Sequence, residues 1–288
     1  MRQKLAPLLR RWRYPILVLL LAMSSVAVWG FVIEPGQLVE RDYALTPSNW
    51  PASCDELRLD VISDTHTGSP RNGVDNLDRI VQRLIASDSQ AVLMAGDYVI
   101  LSVFMGTYVP ADQFAAHLKP LTARKPVYAV LGNHDWWKNG GQVRRALESA
   151  GVVVLENQAR ELQLGQCRFW LAGIGDFWEG HPQVAATFST IRDDAPVIVL
   201  THNPDLFPQI PSRASLTIAG HTHGGQVKLP LIGTPIVPAD HRYVSGLIVE
   251  GNRQLFVTTG IGTSIMPIRL GVPPEISRLT LRSGATSP

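Results

Sequence analysis

The sequence predicts an α/β protein: a two-sheet β-sandwich flanked by helices, in αββα layers, behind one N-terminal transmembrane helix. Three observations carry this. From residue 57 onward, short apolar runs alternate with segments of helical period. Towards the C-terminus strands dominate, and residues 243–250 and 254–259 flank Gly251-Asn252, a hairpin turn signal. Near the N-terminus, residues 14–33 (YPILVLLLAMSSVAVWGFVI) are twenty positions without a charge. A helix of about that length crosses the hydrocarbon core of a bilayer.

In order, residues 1–13 form a basic tail carrying Arg2, Lys4, Arg10, Arg11 and Arg13. Residues 14–33 form the anchor, with Trp12 and Tyr14 at one end and Trp29 and Phe31 at the other, as interfacial aromatics do. The competing reading is a cleaved signal peptide, for which Ser25-Val26-Ala27 is an acceptable site. The apolar run continues past it to Ile33 and favours a retained anchor. The positive-inside rule keeps the tail in the cytoplasm and sends the domain across. A monotopic arrangement on the cytoplasmic face is the minor alternative.

Residues 34–56 read as a proline-containing linker with an edge strand over residues 38–45, and residues 57–288 as the domain. Strands are expected at 57–63 and 91–96, then at 126–132, in VVVL, RFWLAGIG, PVIVLTH and SLTIAG, and finally at 276–281. Helices are expected at 74–86, 111–121 and 142–150. The formal charge is +2, and without the basic tail the remainder is mildly acidic. No broad basic face is present for nucleic acid, and none is expected as a partner. Cys54 and Cys167 form no CxxC motif, which removes a thiolate zinc site. An exported domain can pair them, but the sequence reading favours two inert thiols.

Chemistry gathers at the strand ends. Asp64-Thr65-His66, Gly96-Asp97, Gly132-Asn133-His134-Asp135, Thr201-His202-Asn203 and Gly220-His221-Thr222-His223 each follow an expected strand. Each alone also reads as a turn, a cap or a polar loop. In an open α/β sheet, five such segments meet at the carboxyl edge, where ligands bind. Together they predict a shared metal site.

As a set, these motifs resemble the signature of the calcineurin-like metallophosphoesterases, over roughly residues 57–281. GHTHGGQVKLP and PIRLGVPPEI are similar to the membrane-anchored bacterial branch, which includes phosphodiesterases and UDP-2,3-diacylglucosamine hydrolases of lipid A biosynthesis. The resemblance implies a metallophosphoesterase fold and two adjacent divalent metals. One would take Asp64, His66 and His223; the other Asn133, His202 and His221; Asp97 would bridge both. Histidine-rich ligands suit Mn, Fe, Zn or Co better than Mg or Ca. The implied reaction is attack of a metal-bridging hydroxide on a phosphodiester or pyrophosphate. It further implies a single-pass protein of the bacterial inner membrane, domain outside, acting on a phosphate ester that is lipid-linked or membrane-associated. UDP-2,3-diacylglucosamine is the sharpest such substrate, although it is cytosolic.

His134 is expected as a non-ligand that donates to the phosphate or the leaving oxygen. Asp135 is expected either to orient the His134 ring or to cap a helix. Asp176 reads as support for the site or as a turn residue, and Arg269 as a phosphate contact or a packing arginine. Phe104, Met105 and Tyr108 read as core or as a membrane-facing wall, and Trp136 and Trp137 as packing or substrate wall. His117, His181 and His241 read as surface residues. A catalytically silent binding module would be expected to lack the bridging Asp or a GHxH histidine, and a phosphomonoesterase or protein phosphatase is a further alternative. A di-iron oxygen-activating protein would carry carboxylates on helices instead.

Overall fold

A computed structural model describes residues 5–284, with side chains from residue 12. Arg2 and Lys4 of the basic tail, and residues 285–288 of the expected domain, lie outside the described residues, as do the side chains of Arg10 and Arg11. Helix α1 spans Leu5–Val28 and continues through a π-helical turn, Trp29–Ile33, into a short turn, Glu34–Gly36. Its residues 12–28 are exposed throughout, so among the described residues nothing covers its apolar surface. It is long and apolar enough to cross a membrane.

Strand β1 (Val39–Leu45) follows as an edge strand, close to the expected bounds. Then come β2 (Leu57–Ile62), α2 (Val74–Ala86), β3 (Ala91–Met94), α3 (Ala111–Thr122), β4 (Val127–Ala129), α4 (Asn133–Ser149) and β5 (Val153–Val154). The second half holds β6 (Gln158–Leu164), β7 (Cys167–Gly173), α5 (Val184–Ser189), β8 (Val197–Leu200), β9 (Leu216–Ala219), β10 (Gly246–Glu250), β11 (Arg253–Val257) and β12 (Glu275–Leu281). Two six-stranded mixed sheets result, ordered β1-β12-β2-β3-β4-β5 and β10-β11-β9-β8-β7-β6. Strands β2 to β5 are parallel, as are β7, β8, β9 and β11.

The strand period of two sorts side chains between layers. Leu57, Leu59 and Val61 of β2 face the inter-sheet core, with Leu93 from β3, Phe169 from β7 and Ile218 from β9. Ile62, Val92, Met94 and Val127 point the other way, against Leu77, Ile80, Phe114 and Leu147 of α2, α3 and α4. Each such fully buried aliphatic side chain contributes about 1.5–3 kcal/mol. A smaller cluster around Val197, Leu206 and Ile210 covers the outer face of the second sheet.

Three expectations need correction. The helix expected at 142–150 is preceded by a further helical segment from Asn133, and the two meet at Asn139, whose φ of 175° and ψ of 86° are not helical. Strand β6 was not expected; it pairs antiparallel with β7 around a tight turn at Gly165, and its mixed polar sequence hides the pattern. Cys54 and Cys167 are joined in a disulfide rather than free. The fold brings Cys54, three residues before β2, and the first residue of β7 together across 113 residues of sequence, which no spacing rule could reveal.

Candidate functional site

Parallel strands deliver their carboxyl ends to one edge, and all five segments meet there. Asp64, His66, Asp97, Asn133, His202, His221 and His223 are all buried. Five of these seven adopt positive φ: Asp64 50°, His66 36°, Asp97 58°, His221 69° and His223 53°. Non-glycine residues there cost about 1–3 kcal/mol each, and such strain gathers at functional sites. Neighbouring glycines make the approach possible. Gly96 has φ 95°, and a Cβ on it would lie 2.6 Å from His202 Nδ1. A Cβ on Gly132 would collide with Asp97 Oδ1.

The donor atoms converge in two groups around Asp97. Asp97 Oδ2 lies 3.5 Å from His66 Nε2 and 3.3 Å from His202 Nε2. On one side, His66 Nε2 and His223 Nε2 are 3.2 Å apart, and Asp64 Oδ1 is 3.4 Å from His223 Nε2. On the other, His202 Nε2 lies 3.1 Å from His221 Nδ1 and 3.2 Å from Asn133 Oδ1. Outward hydrogen bonds fix two of the rings. His202 Nδ1 donates to the Ala95 carbonyl at 2.7 Å, and His221 Nε2 to the Pro238 carbonyl at 3.3 Å. With its proton on Nε2, the neutral His221 ring therefore presents the lone pair of Nδ1 inward, towards His202 Nε2.

Electrostatics keep most of these rings neutral. Burial pushes His66 and His221 down to about 3, and His223 well below its ordinary range. Burial also opposes charge on His202, but the Asp97 carboxylate outweighs it and holds that ring well above its usual value. Asp97 is correspondingly held well below the carboxylate range by His202, against its own burial. Burial raises Asp64 to about 6. Asp64 Oδ1 and the Nδ1 atoms of His66 and His223 are buried without hydrogen-bond partners. An unpartnered Asp64 oxygen, inward-facing Nε2 atoms of neutral imidazoles and a central carboxylate fit a divalent cation, which would supply the missing partner of Asp64 Oδ1.

A cavity of about 380 Å³ opens above the cluster. His134, Trp137, Trp178, Leu101, Ile236 and Ile265 line it. His134 donates its backbone N–H to Asp97 Oδ1 at 2.9 Å, its ring packs edge-on against His66, and burial lowers its pKa. Trp178 packs edge-on against His221 at 4.5 Å and stacks on Trp137 at 6.1 Å. The sequence reading missed Trp178, although it lies two residues after Asp176 in GIGDFW.

The remaining candidates divide. The Asp135 carboxylate accepts the backbone N–H groups of Asp97, Tyr98, Val99 and Gly132. No hydrogen bond joins it to the His134 ring, so the expected ring-orienting role gives way to clamping backbone and capping α4. Asp176 Oδ2 accepts the N–H groups of Trp178 and Glu179, each at 2.9 Å, while its charge favours protonated His202. Arg269 does not line the cavity. It is fully buried and donates to the carbonyls of Thr259, Gly262 and Val272, which leaves no phosphate contact available. Trp136 packs against the helix layer, whereas Phe104 and Met105 are strongly exposed rather than core.

Such a histidine–aspartate cluster at the edge of a two-sheet sandwich places the chain among metal-dependent hydrolases of phosphate esters. The chain belongs to the calcineurin-like phosphoesterase family, whose model matches residues 57–225. Phosphodiesterase YaeI of Escherichia coli is 36% identical over 66% of this chain and 69% of its own length. Uncharacterized metallophosphoesterase YkuE of Bacillus subtilis is 28% identical over 91% of this chain and 92% of its own. A Danio rerio transmembrane protein with a metallophosphoesterase domain is 28% identical over 94% of this chain and 63% of its own.

Proposed function

We propose that the protein is a dinuclear-metal phosphodiesterase or pyrophosphatase, anchored in the inner membrane by α1, whose substrate is membrane-associated. The observation that carries this reading is the position of Asp97 Oδ2, between His66 Nε2 at 3.5 Å and His202 Nε2 at 3.3 Å. A carboxylate so placed can serve two cations at once. Asp64, His66, His223 and Asp97 would hold one, and Asp97, Asn133, His202 and His221 the other. When bound, the cations supply Lewis acidity towards the phosphoryl oxygens and lower the pKa of water. Asn133 adds an oxygen donor without adding charge, which eases the approach of an anionic substrate. His134 faces the cavity beside this cluster and donates to the phosphate or the leaving oxygen.

The apolar cavity wall supports a diester or pyrophosphate with bulky substituents over a small monoester, as does the relative named a phosphodiesterase. The disulfide supports an oxidising compartment, in agreement with the positive-inside rule. That favours a lipid-linked phosphate on the outer face over UDP-2,3-diacylglucosamine, which is cytosolic.

The test uses the full-length protein in detergent, with bound metal counted alongside hydrolysis of bis-p-nitrophenyl phosphate and p-nitrophenyl phosphate. Two metals per chain are expected, with diester turnover preferred. Asp97→Asn is expected to lose metal and at least about a thousandfold in turnover, since a several-kcal/mol charge stabilisation disappears with the metals. Protein that stays inactive with Mn, Fe, Zn and Co overturns the reading.

A further inference from the structure

Three loops beside the cavity carry no charge: residues 98–110, 229–238 and 260–268. Their tips are aliphatic and turned outward, with Met105 78% exposed, Ile265 73% and Leu231 fully exposed. Phe104, Ile232, Ile236 and Met266 are exposed beside them. Each tip residue is strained as well, with φ of 60° at Met105, 67° at Leu231 and 62° at Ile265. For a β-branched residue such as Ile265 this is a genuine outlier. A soluble surface gains nothing by straining backbone to present aliphatic side chains to water, and apolar patches of this kind mark interaction sites.

The three loops form one unit with the base of α1. Phe104 N–H donates to the Ile265 carbonyl at 3.0 Å. The Gln226 side chain bonds the backbone of Ser264 and Met266, and Lys228 N–H donates to the Leu270 carbonyl at 2.8 Å. Arg269 N–H donates to the Gly30 carbonyl at 2.9 Å, inside the π-helical turn that ends the apolar helix. Gly30 is buried close against Ile268, and Glu34 Oε1 accepts Val272 N–H at 2.7 Å. Val26 and Trp29 of the helix share a groove with Leu229 and Pro230. The helix end and the apolar tips are therefore continuous.

We propose that Met105, Leu231 and Ile265 insert into the same lipid bilayer that α1 spans, so that the metal cavity opens at the membrane surface. This rests on reading α1 as a membrane anchor. The occupant is phospholipid, because the surface is continuous with a helix whose exposed apolar face already requires hydrocarbon. Cations and aromatics frame it as they do at membrane interfaces: Lys138 lies 3.9 Å from the centre of the Tyr108 ring, and Lys228 lines the groove with Trp29. Ile265, Leu101 and Ile236 belong both to this surface and to the cavity wall, so a lipid-borne phosphate reaches the cluster without leaving the interface.

The test is depth quenching in the full-length chain. Met105→Cys, Leu231→Cys and, as control, Val249→Cys on the exposed strand β10 are each labelled with an NBD dye. The native cysteines are paired with each other and take no label. The proteins are reconstituted into phosphatidylcholine–phosphatidylglycerol vesicles containing doxyl-phosphatidylcholine. Insertion of about 5–10 Å, as for interfacial segments, predicts at least about threefold stronger quenching at 105 and 231 than at 249. Equal quenching at all three positions overturns the proposal, and a surface meant for a protein partner gives that result. A chain that washes off vesicles in alkaline carbonate overturns the anchor and the insertion together. Quenching needs no turnover, so a failed activity assay leaves this inference standing.

Discussion

Asp135 Oδ2 accepts the backbone N–H of Asp97 at 2.9 Å, while Oδ1 accepts that of Tyr98 at the same distance. One carboxylate on the first turn of α4 thus holds the loop after β3 in its strained form. Burial, with the nearby Asp97 charge, pushes Asp135 up to about 7, and the backbone donors oppose the rise. Asp135→Asn replaces one acceptor oxygen with a donor facing N–H groups. Leaving buried groups unpaired costs about 1–3 kcal/mol each. We expect a lower Tm and a metal affinity reduced about 10–100-fold, as for other supports of ligand geometry, read by calorimetry and metal titration. Unchanged affinity would show that the Asp97 loop holds its form unaided.

His134→Ala should separate catalysis from metal binding. The ring lines the cavity, while its backbone N–H, which the substitution keeps, holds Asp97 Oδ1. We expect kcat to fall about 10²–10⁴-fold, the usual contribution of a positioned donor. Metal content should remain that of the parent protein. Loss of metal in this variant would make His134 a ligand.

The disulfide lies before β2 and at the start of β7, whereas the proposed metal ligands lie past the strands' other ends. Strand β2 alone, six residues long, separates them by about 20 Å. Paired Cys54→Ala and Cys167→Ala should therefore cost stability, about 2–5 kcal/mol for a native bridge, because a 113-residue loop is freed in the unfolded chain. At that distance kcat should stay within about twofold. Thermal unfolding and turnover on the same sample check both halves.

Glu156 introduces a pH dependence of stability. It accepts the Leu131 N–H at 2.6 Å, but Oε2 has no partner, and burial raises the carboxyl from 4.5 to about 8. Between those values the native chain keeps a proton that the unfolded chain has released. Its stabilising contribution is thus complete below pH 4.5 and lost as pH rises towards 8. At about 1.4 kcal/mol per pKa unit, the loss is bounded at a few kcal/mol. Glu156→Gln keeps an acceptor for Leu131 and cannot ionise. Its Tm relative to the parent should rise between pH 5 and 8; a constant difference would refute the assignment.

The convergence of the histidine–aspartate cluster was legible because each residue sits at a fixed offset past an apolar strand, and parallel strands must deliver those offsets to one edge. Trp178 escaped because an aromatic after a turn has no chemical signature until its neighbour, His221, is known. Arg269 stayed undecided because arginine next to a family-like string suits a phosphate as well as it suits three backbone carbonyls. Only the burial of its guanidinium decides between them. The disulfide and the partners of Asp135 depend on long-range pairing, and their residue types alone are ambiguous between several local roles. The choice between core and membrane-facing wall for Phe104, Met105 and Tyr108 stayed open for a related reason. Apolarity shows that a loop avoids water, without showing which apolar phase it enters.

The hydrogen bonds of Gly30 and Glu34 to Arg269 and Val272 mean that α1 is not joined to the domain by a free tether. A tethered enzyme would sweep a hemisphere and meet dissolved substrates at any angle. With α1 in a membrane as proposed, a chain fixed at its root would keep one height and one heading, and diffuse with the membrane as a single body. Its encounters then become two-dimensional, and the governing quantity is the mole fraction of substrate among neighbouring lipids rather than a bulk concentration. Diluting the substrate with inert phospholipid, at constant total amount, would slow such an enzyme as surely as an inhibitor.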